Sequence, residues 1–265
     1  MSYTIQGGQE GKARLSILGQ AMNRYSIEAL QGAGLKQGSK CLDAGCGGGT
    51  MTYAMAEIAG PGGYVTGMDR DAEIIRLNMQ ELDATHIGGI SFVQGEIYNL
   101  DGHEEYDIVY ARFLLSHLTD PVLAITKMVR ALKPGGQLVT EDVHFSGHFC
   151  YPANDAFDTY VRWYTDAVSA NGGDAEFGVK LHAYLETAGL ADIQMEIVQP
   201  AALNGPAKQM SLITLEKIRN SVLANNITSE EEFERIINEL KAFTENSESM
   251  ISMPRIFQVW GRKAA

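Results

Sequence analysis

Between Ser39 and Val143 short apolar runs are interleaved with amphipathic stretches. "SKCLDAG", "GYVTGMD", "ISFVQGE", "YDIVYARF" and "GQLVTEDV" have the length and residue types of buried strands. "TMTYAMAEIAG", "DAEIIRLNMQELDA" and "DPVLAITKMVRAL" have the 3.6-residue period of helices. Strands joined through helices run parallel, because the crossover brings the chain back to the same end of the sheet. The expected fold class is therefore α/β, a doubly wound sheet with helices on both faces. An amphipathic helix over residues 12–33 precedes it, with Leu15, Leu18, Met22, Ile27 and Leu30 on one side.

After Val143 the rhythm breaks twice. An aromatic, mostly helical detour runs to about residue 180, and "LETAGL" followed by "DIQMEIVQP" then restores a helix and a sixth strand. A second detour holds two amphipathic helices, "QMSLITLEKIRNSVLA" and "SEEEFERIINELKAF", before the closing strand "RIFQVWGRK". The expected organisation is a sheet domain over 1–143, continued at 181–200 and 254–265. Helical insertions at 144–180 and 201–253 are expected to lie together as a cap over one sheet edge. The polar face of "SEEEFERIINEL" reads as solvated, with a homodimer contact as the alternative.

The turn after the first strand, "CLDAGCGGGT", places Gly45, Gly47, Gly48 and Gly49 within five positions. Such a turn between strand and helix aims backbone N–H groups and the positive end of the helix at a ligand. The second strand ends at Asp69, 24 residues after Gly45, where a carboxylate accepts hydrogen bonds from both hydroxyls of a ribose. These residues indicate a nucleoside or nucleotide without choosing between cofactors. Asp43, two residues before the first glycine, would repel a pyrophosphate and favours a cationic amine. Glu96 follows the third strand near the place of an adenine amino group.

These motifs, with "ALKPGGQL" before the fifth strand, resemble the class I S-adenosylmethionine-dependent methyltransferases over roughly residues 38–143. The resemblance implies a Rossmann-like sheet of six parallel strands and an antiparallel seventh, here "RIFQVWGRK"; by connectivity the two detours are cap insertions after strands five and six. It implies S-adenosyl-L-methionine as cofactor, near Asp43, Gly45, Gly47 and Gly49, with Asp69 and its neighbour Arg70 at the ribose. Glu96, in place of the commoner Asp, and Ile97 would meet the adenine; Ala111 and Arg112 would lie along the methionine part. The opening "YTIQGGQEGKARL" and the later "FGVKLHAYLETAGL" are similar to small-molecule methyltransferases of quinone and secondary-metabolite pathways. By that likeness Tyr3 and Arg14 would touch the carboxylate end of the cofactor.

The net charge of −12 with no basic run argues against a nucleic-acid substrate, since phosphate backbones are gripped by Lys and Arg. No segment approaches the roughly 20 apolar residues of a membrane span, and the first residues lack the apolar run of a secretory signal. Three cysteines do not make a disulfide framework, so a cytoplasmic protein is expected. Glu141, Asp142, His144, His148 and Cys150 have no recognised ligand spacing, and no metal is expected.

The expected reaction is transfer of a methyl group to an oxygen or nitrogen of a small, apolar or aromatic molecule by in-line displacement. The segments leaving strands four and five hold the candidate bases: His144 first, two residues past Asp142, then His117. His148, Phe149, Tyr160 and Tyr164 are candidates for the substrate wall, set against the simpler reading that the aromatics pack the cap itself. The competing readings are a nicotinamide-dependent oxidoreductase, which Asp43 disfavours, and a non-catalytic protein that only binds S-adenosylmethionine.

Overall fold

A computed structural model describes residues 8–85 and 87–264, with side chains described from Gly11 onward; Tyr3 lies outside the described residues. Helix α1 (Gly8–Gly32) leads into β1 (Lys40–Ala44), α2 (Thr50–Ala59), β2 (Tyr64–Asp69), α3 (Ala72–Thr85) and β3 (Ile90–Gln94). β4 (Tyr106–Arg112), α4 (Pro121–Ala131) and β5 (Leu132–His144) complete the first half. The strands are short apolar runs, not alternating ones, because helices cover both faces of the sheet: Cys41 through Ala44 are all buried. α4 starts where its residues dictate. Asp120 accepts a hydrogen bond from Leu123 N at 2.9 Å and Pro121 fills the first turn, where no N–H is needed.

The first insertion holds β6 (Cys150–Tyr151) and α5 (Asp155–Ala170); α6 (Leu181–Thr187) and β7 (Leu190–Val198) then return to the sheet. The second holds β8 (Ala201–Ala202), α7 (Met210–Ala224), α8 (Glu230–Glu245) and β9 (Met250–Ser252), before β10 (Arg255–Lys263). The main sheet runs β3-β2-β1-β4-β5-β10-β7. Six strands are parallel, and β10 threads between β5 and β7 antiparallel to both, with Val259 opposite Thr140 on one side and Met195 on the other.

The two insertions do lie together. Phe157, Tyr160, Trp163 and Tyr164 of α5 share a core with Leu215 and Ile218 of α7 and with Phe233, Ile236 and Leu240 of α8. The Trp163 and Phe233 rings stack at 5.8 Å. α8 buries one stripe and solvates the other, where Arg235 pairs with Glu239 at 2.9 Å. The sequence did not show that β6, β9 and β8 form a second small sheet stapling the insertions to each other. Strands of two or three residues are too short to carry a period. The start of α5 is held by Asn154, whose side chain accepts from Phe157 N at 2.9 Å. Asn154→Ala should cost about 1 kcal/mol, the worth of an N-cap, read as a lower urea midpoint with an unchanged slope.

Candidate functional site

At the carboxyl ends of β1, β2, β4 and β5 the chain encloses a cavity of about 200 Å³. One end is walled by Asp43, Gly45, Gly47, Gly48, Asp69 and Arg112, the other by His117, Phe145, His148, Tyr160, Tyr164 and Ser211. α1 crosses above the glycine turn and contributes Arg14, Leu15 and Leu18. The ends of parallel strands are where doubly wound sheets hold ligands.

The glycine turn is shaped by the chain itself. Gly45, Gly47 and Gly49 all have left-handed backbones, with φ of 73°, 49° and 78°. A Cβ at Gly47 would stand 2.8 Å from Leu15 Cδ1, and one at Gly49 would stand 2.9 Å from Phe92 Cζ. Four of the turn's N–H groups are also spent internally. Gly45 and Cys46 donate to Met68 O at 2.8 and 2.9 Å, Gly47 to Asp69 Oδ2 at 2.9 Å, and Gly49 to Cys46 O at 2.9 Å. From the far side Asn78 Nδ2 donates to Gly47 O at 2.7 Å, and Lys12 Nζ of α1 donates to Asn78 Oδ1 at 2.7 Å.

Asp43 occupies the amino end of α2. It accepts from Thr52 Oγ1 at 2.6 Å and from the Thr52 backbone N–H. The position that would receive a pyrophosphate is thus filled by the chain's own carboxylate. Asp43 is 2% exposed. Burial lifts its pKa to about 6, against the opposing Thr52 hydrogen bonds and the pull of Arg112. Asp69 is shared between Gly47 N and Asp71 N, the latter to Oδ1 at 2.9 Å. Burial raises its pKa while those two N–H groups hold it down.

Beneath the cavity a buried polar chain ties α1 to the sheet. Arg112 Nη1 donates to Asn23 Oδ1 at 3.1 Å and to Ser26 Oγ at 3.0 Å. Ser26 Oγ and Tyr110 OH donate to the two oxygens of Glu141 at 3.0 and 2.8 Å. Asp142 accepts from the N–H groups of Ser116 and Val143, both at 2.9 Å, and so fixes the segment that carries His117. Burial pushes the Asp142 carboxyl up to about 6.

His117 and His148 both line the cavity. Burial, with Arg14 and Arg70 nearby, holds His117 at about 4, and burial holds His148 at about 4. Both rings are neutral at pH 7. His148 Nδ1 lies 2.9 Å from Phe145 O. A carbonyl only accepts, so Nδ1 carries the hydrogen and Nε2 keeps the lone pair.

Of the residues singled out from sequence, Arg14, Asp43, Gly45, Gly47, Asp69, Arg112, His117, His148, Tyr160 and Tyr164 meet at this cavity. Gly49, Arg70, Glu96, Ile97, Ala111, His144 and Phe149 are not part of its wall. Gly49 packs behind the turn against Phe92. Ile97 and Ala111 are buried in the main core, and Glu96 is exposed. His144 turns away: Nε2 is 3.1 Å from Glu176 Oε2 and Nδ1 is 3.4 Å from Arg255. The bend at Phe145–Gly147 swings His148 inward in its place. Phe149 is exposed beside the small sheet, its N–H bonded to Ser252 Oγ at 2.8 Å. Sequence reasoning passed over Thr52 and Asn78. Asn78 left a signal, a polar residue on the apolar stripe of α3 with Ile74 and Ile75; Thr52 touches Asp43 across the turn, where no period reports it.

Among the described residues no group of three or more His, Cys, Asp or Glu side chains is placed to hold a metal ion, and no helix is long and apolar enough to cross a membrane.

Comparison with known proteins gives the same picture. Residues 35–171 match the family model of a methyltransferase domain. A ubiquinone/menaquinone biosynthesis C-methyltransferase of Proteus mirabilis is 30% identical over 139 residues, which are 52% of this chain and 53% of that protein. A 2-phytyl-1,4-naphtoquinone methyltransferase of Nostoc is 28% identical over 154 residues, 57% of this chain and 64% of that one. The match thus spans 43% to 64% of the length of these curated relatives and of a demethylmenaquinone methyltransferase of Staphylococcus carnosus. The crystal structure of Haemonchus contortus phosphoethanolamine N-methyltransferase 2 with S-adenosyl-L-methionine superposes with a TM-score of 0.54 at 16% identity, covering 96% of this chain and 52% of that one. A glycine turn sealed by its own acid, a second acid at the end of β2, an antiparallel strand inside a parallel sheet and the matched domain agree: the chain belongs to the class I S-adenosylmethionine-dependent methyltransferases.

Proposed function

We propose that the protein transfers a methyl group from S-adenosyl-L-methionine to a small, largely apolar or aromatic acceptor. The observation that carries this is one continuous cavity with two unlike ends, acids and glycines at one and aromatic rings of the cap at the other. The chemistry of the first end fits the cofactor. Asp43, a buried carboxylate whose hydrogen-bond partner among the described residues is Thr52, suits a cationic group, and Asp69 has lone pairs to spare for ribose hydroxyls. When bound, the cofactor supplies an electrophilic methyl group on a sulfonium leaving group.

In this reading Asp69, with Asp71 and Ile74 beside it, receives the nucleoside. Arg70, Glu96 and Ile97 form the outer margin towards the adenine. Asp43, Gly45 and Arg112 face the amino-acid end, with Gly49 and Ala111 shaping the turn and strand behind them. Tyr160, Tyr164, Phe145 and His148 wall the acceptor. Their burial under the cap excludes water from the nucleophile, and orientation of the two reactants is worth up to about 7–11 kcal/mol of the barrier. The Proteus relative is by name a C-methyltransferase of quinone biosynthesis, whereas the sequence pointed to oxygen or nitrogen. A phenol-type acceptor accommodates both, because its charge is shared between oxygen and ring carbon.

Calorimetric titration with S-adenosylhomocysteine, and with NAD⁺ and NADP⁺ in parallel, tests the reading. Binding of the homocysteine compound alone at micromolar level is the expected result, followed by transfer of a labelled methyl group to members of a phenol panel. Binding of a nicotinamide cofactor instead overturns it. Cofactor binding with no transfer to any phenol or amine favours a protein that binds without catalysing.

A further inference from the structure

The cap end of the cavity holds a guanidinium, that of Arg14. Arg14 Nε donates to Thr214 Oγ1 at 3.3 Å, and among the described residues no carboxylate pairs with it. Its electrostatic neighbours are the Tyr160 and Tyr164 hydroxyls and the neutral His117. Arg14 is half-buried and its guanidinium is partly desolvated. A desolvated cation lacking a counter-charge is costly, and a ligand that supplies the charge relieves the cost. The acids at the opposite end sense other cations: Arg112 acts on Asp43 and Arg70 on Asp69.

Facing Arg14 is the amino end of α7. Its N-cap residue, Gln209, makes no side-chain cap bond, and the first turn holds no acid. Ser211 lies in that turn, is 4% exposed, lines the cavity, and its Oγ has no hydrogen-bond partner among the described residues. Thr214, one turn on, lines the same wall. A guanidinium, an unpartnered buried hydroxyl and a helix amino terminus all favour negative charge, and together they make an oxyanion site.

We infer that Arg14, Ser211, Thr214 and the amino end of α7 form the oxyanion-binding end of the acceptor chamber, so that the acceptor is an acid (a phenol, enol or carboxylic acid) bound as its anion. Arg14, which the family likeness would put at the cofactor's carboxylate, is assigned instead to the acceptor because it lies beside Thr214, Tyr160 and Tyr164 of the cap. The inference rests on the reading of the cavity as a joint cofactor and acceptor site. An acidic acceptor leaves its proton in solvent before entry. Its electron pair, on oxygen or on the conjugated carbon, forms the bond to the methyl carbon as the carbon–sulfur bond breaks, and that bond's pair stays on sulfur. The anion and the sulfonium neutralise each other; where carbon is methylated, the ring proton leaves afterwards to water. No strong base is needed, which suits a cavity whose two histidines are held too acidic to serve as one.

The test is calorimetric titration of the full chain, with and without saturating S-adenosylhomocysteine, using benzoate and neutral benzyl alcohol as probes. Benzoate is expected to bind at least about tenfold more tightly than the alcohol. Arg14→Met should weaken benzoate by at least about tenfold and leave the homocysteine compound within about twofold. Ser211→Ala, which removes only an unbonded hydroxyl, should weaken benzoate by about threefold at an unchanged melting temperature, and decides the matter if Arg14→Met fails to fold. Equal binding of the two probes, or benzoate affinity unchanged in either variant, overturns the inference. So does a loss in Arg14→Met of affinity for S-adenosylhomocysteine but not for 5′-methylthioadenosine, which lacks the amino-acid carboxylate: the guanidinium then belongs to the cofactor. A wild-type protein that binds no S-adenosylhomocysteine defeats the proposed function instead, and the benzoate titrations without it still decide the oxyanion site.

Discussion

Asp69→Ala is expected to raise the dissociation constant for S-adenosylhomocysteine by about 10- to 100-fold. Asp69 ends β2 at the cavity wall, and each of its oxygens already takes one backbone N–H, from Gly47 and from Asp71. Those bonds aim the carboxylate and leave a lone pair on each oxygen for a ribose hydroxyl. Hydrogen bonds to a charged group are worth about 1.5–3 kcal/mol, and each 1.4 kcal/mol is about tenfold in affinity. Removing the side chain also frees two N–H groups of the turn, so part of the loss belongs to the turn. The two contributions separate by ligand: 5′-methylthioadenosine should lose affinity by the same factor, and adenine, which has no ribose, by much less. Unchanged affinity for all three compounds removes Asp69 from the ribose.

The affinity for S-adenosylhomocysteine should fall by about tenfold between pH 7 and pH 5, and Asp43 should be the cause. Burial raises the Asp43 pKa to about 6 from an ordinary carboxylate value. In the unliganded protein the folded state therefore holds a proton at pH 5 that the unfolded chain has released. That raised pKa makes the fold more stable below about pH 4 than above 6, the stability being lost as pH rises through this window. A bound ammonium group reverses the preference, because it favours the charged carboxylate. Binding then releases the proton, and affinity drops by up to about tenfold per pH unit below the pKa. Asp142 has the same raised pKa, but it accepts from Ser116 and Val143 behind the cavity wall and does not line the cavity, so it carries no such dependence on ligand. Asp69, also raised, lines the same cavity, so the assignment is made by substitution. Asp43→Asn should abolish the slope and bind at pH 7 about as weakly as the parent does at pH 5. A slope that survives the substitution places the titrating group elsewhere.

Much of the sheet domain was legible because its signals are local. A strand buried on both faces is a run of apolar residues, as in Cys41–Ala44, and a helix covering it shows a stripe, as in α3 and α4. Asp43 and Asp69 stood out because acids at the ends of apolar strands have no packing reason to be there. The glycines were legible as a close approach, but what approaches is partly the chain: Leu15 and Phe92 occupy the space that side chains would need.

His144 shows the limit of such reasoning. It stands where a strand end opens towards a ligand, yet the bend over Phe145–Gly147 turns it to Glu176 and Arg255 and brings His148 into the cavity. A bend of three residues has no period to read. The same holds for Ser211 and Thr214, unremarkable polar positions on an amphipathic helix until α1 brings Arg14 over them from some 200 residues away in sequence. Residue pattern accounts for the strands of the main sheet, the longer helices and the two acids of the nucleoside end, since those follow from periods and from caps within a few residues. Which helices meet above the sheet, and therefore which charge faces the acceptor, depends on packing between segments far apart in the chain. Burial acts there on many residues at once and leaves no mark on any single stretch.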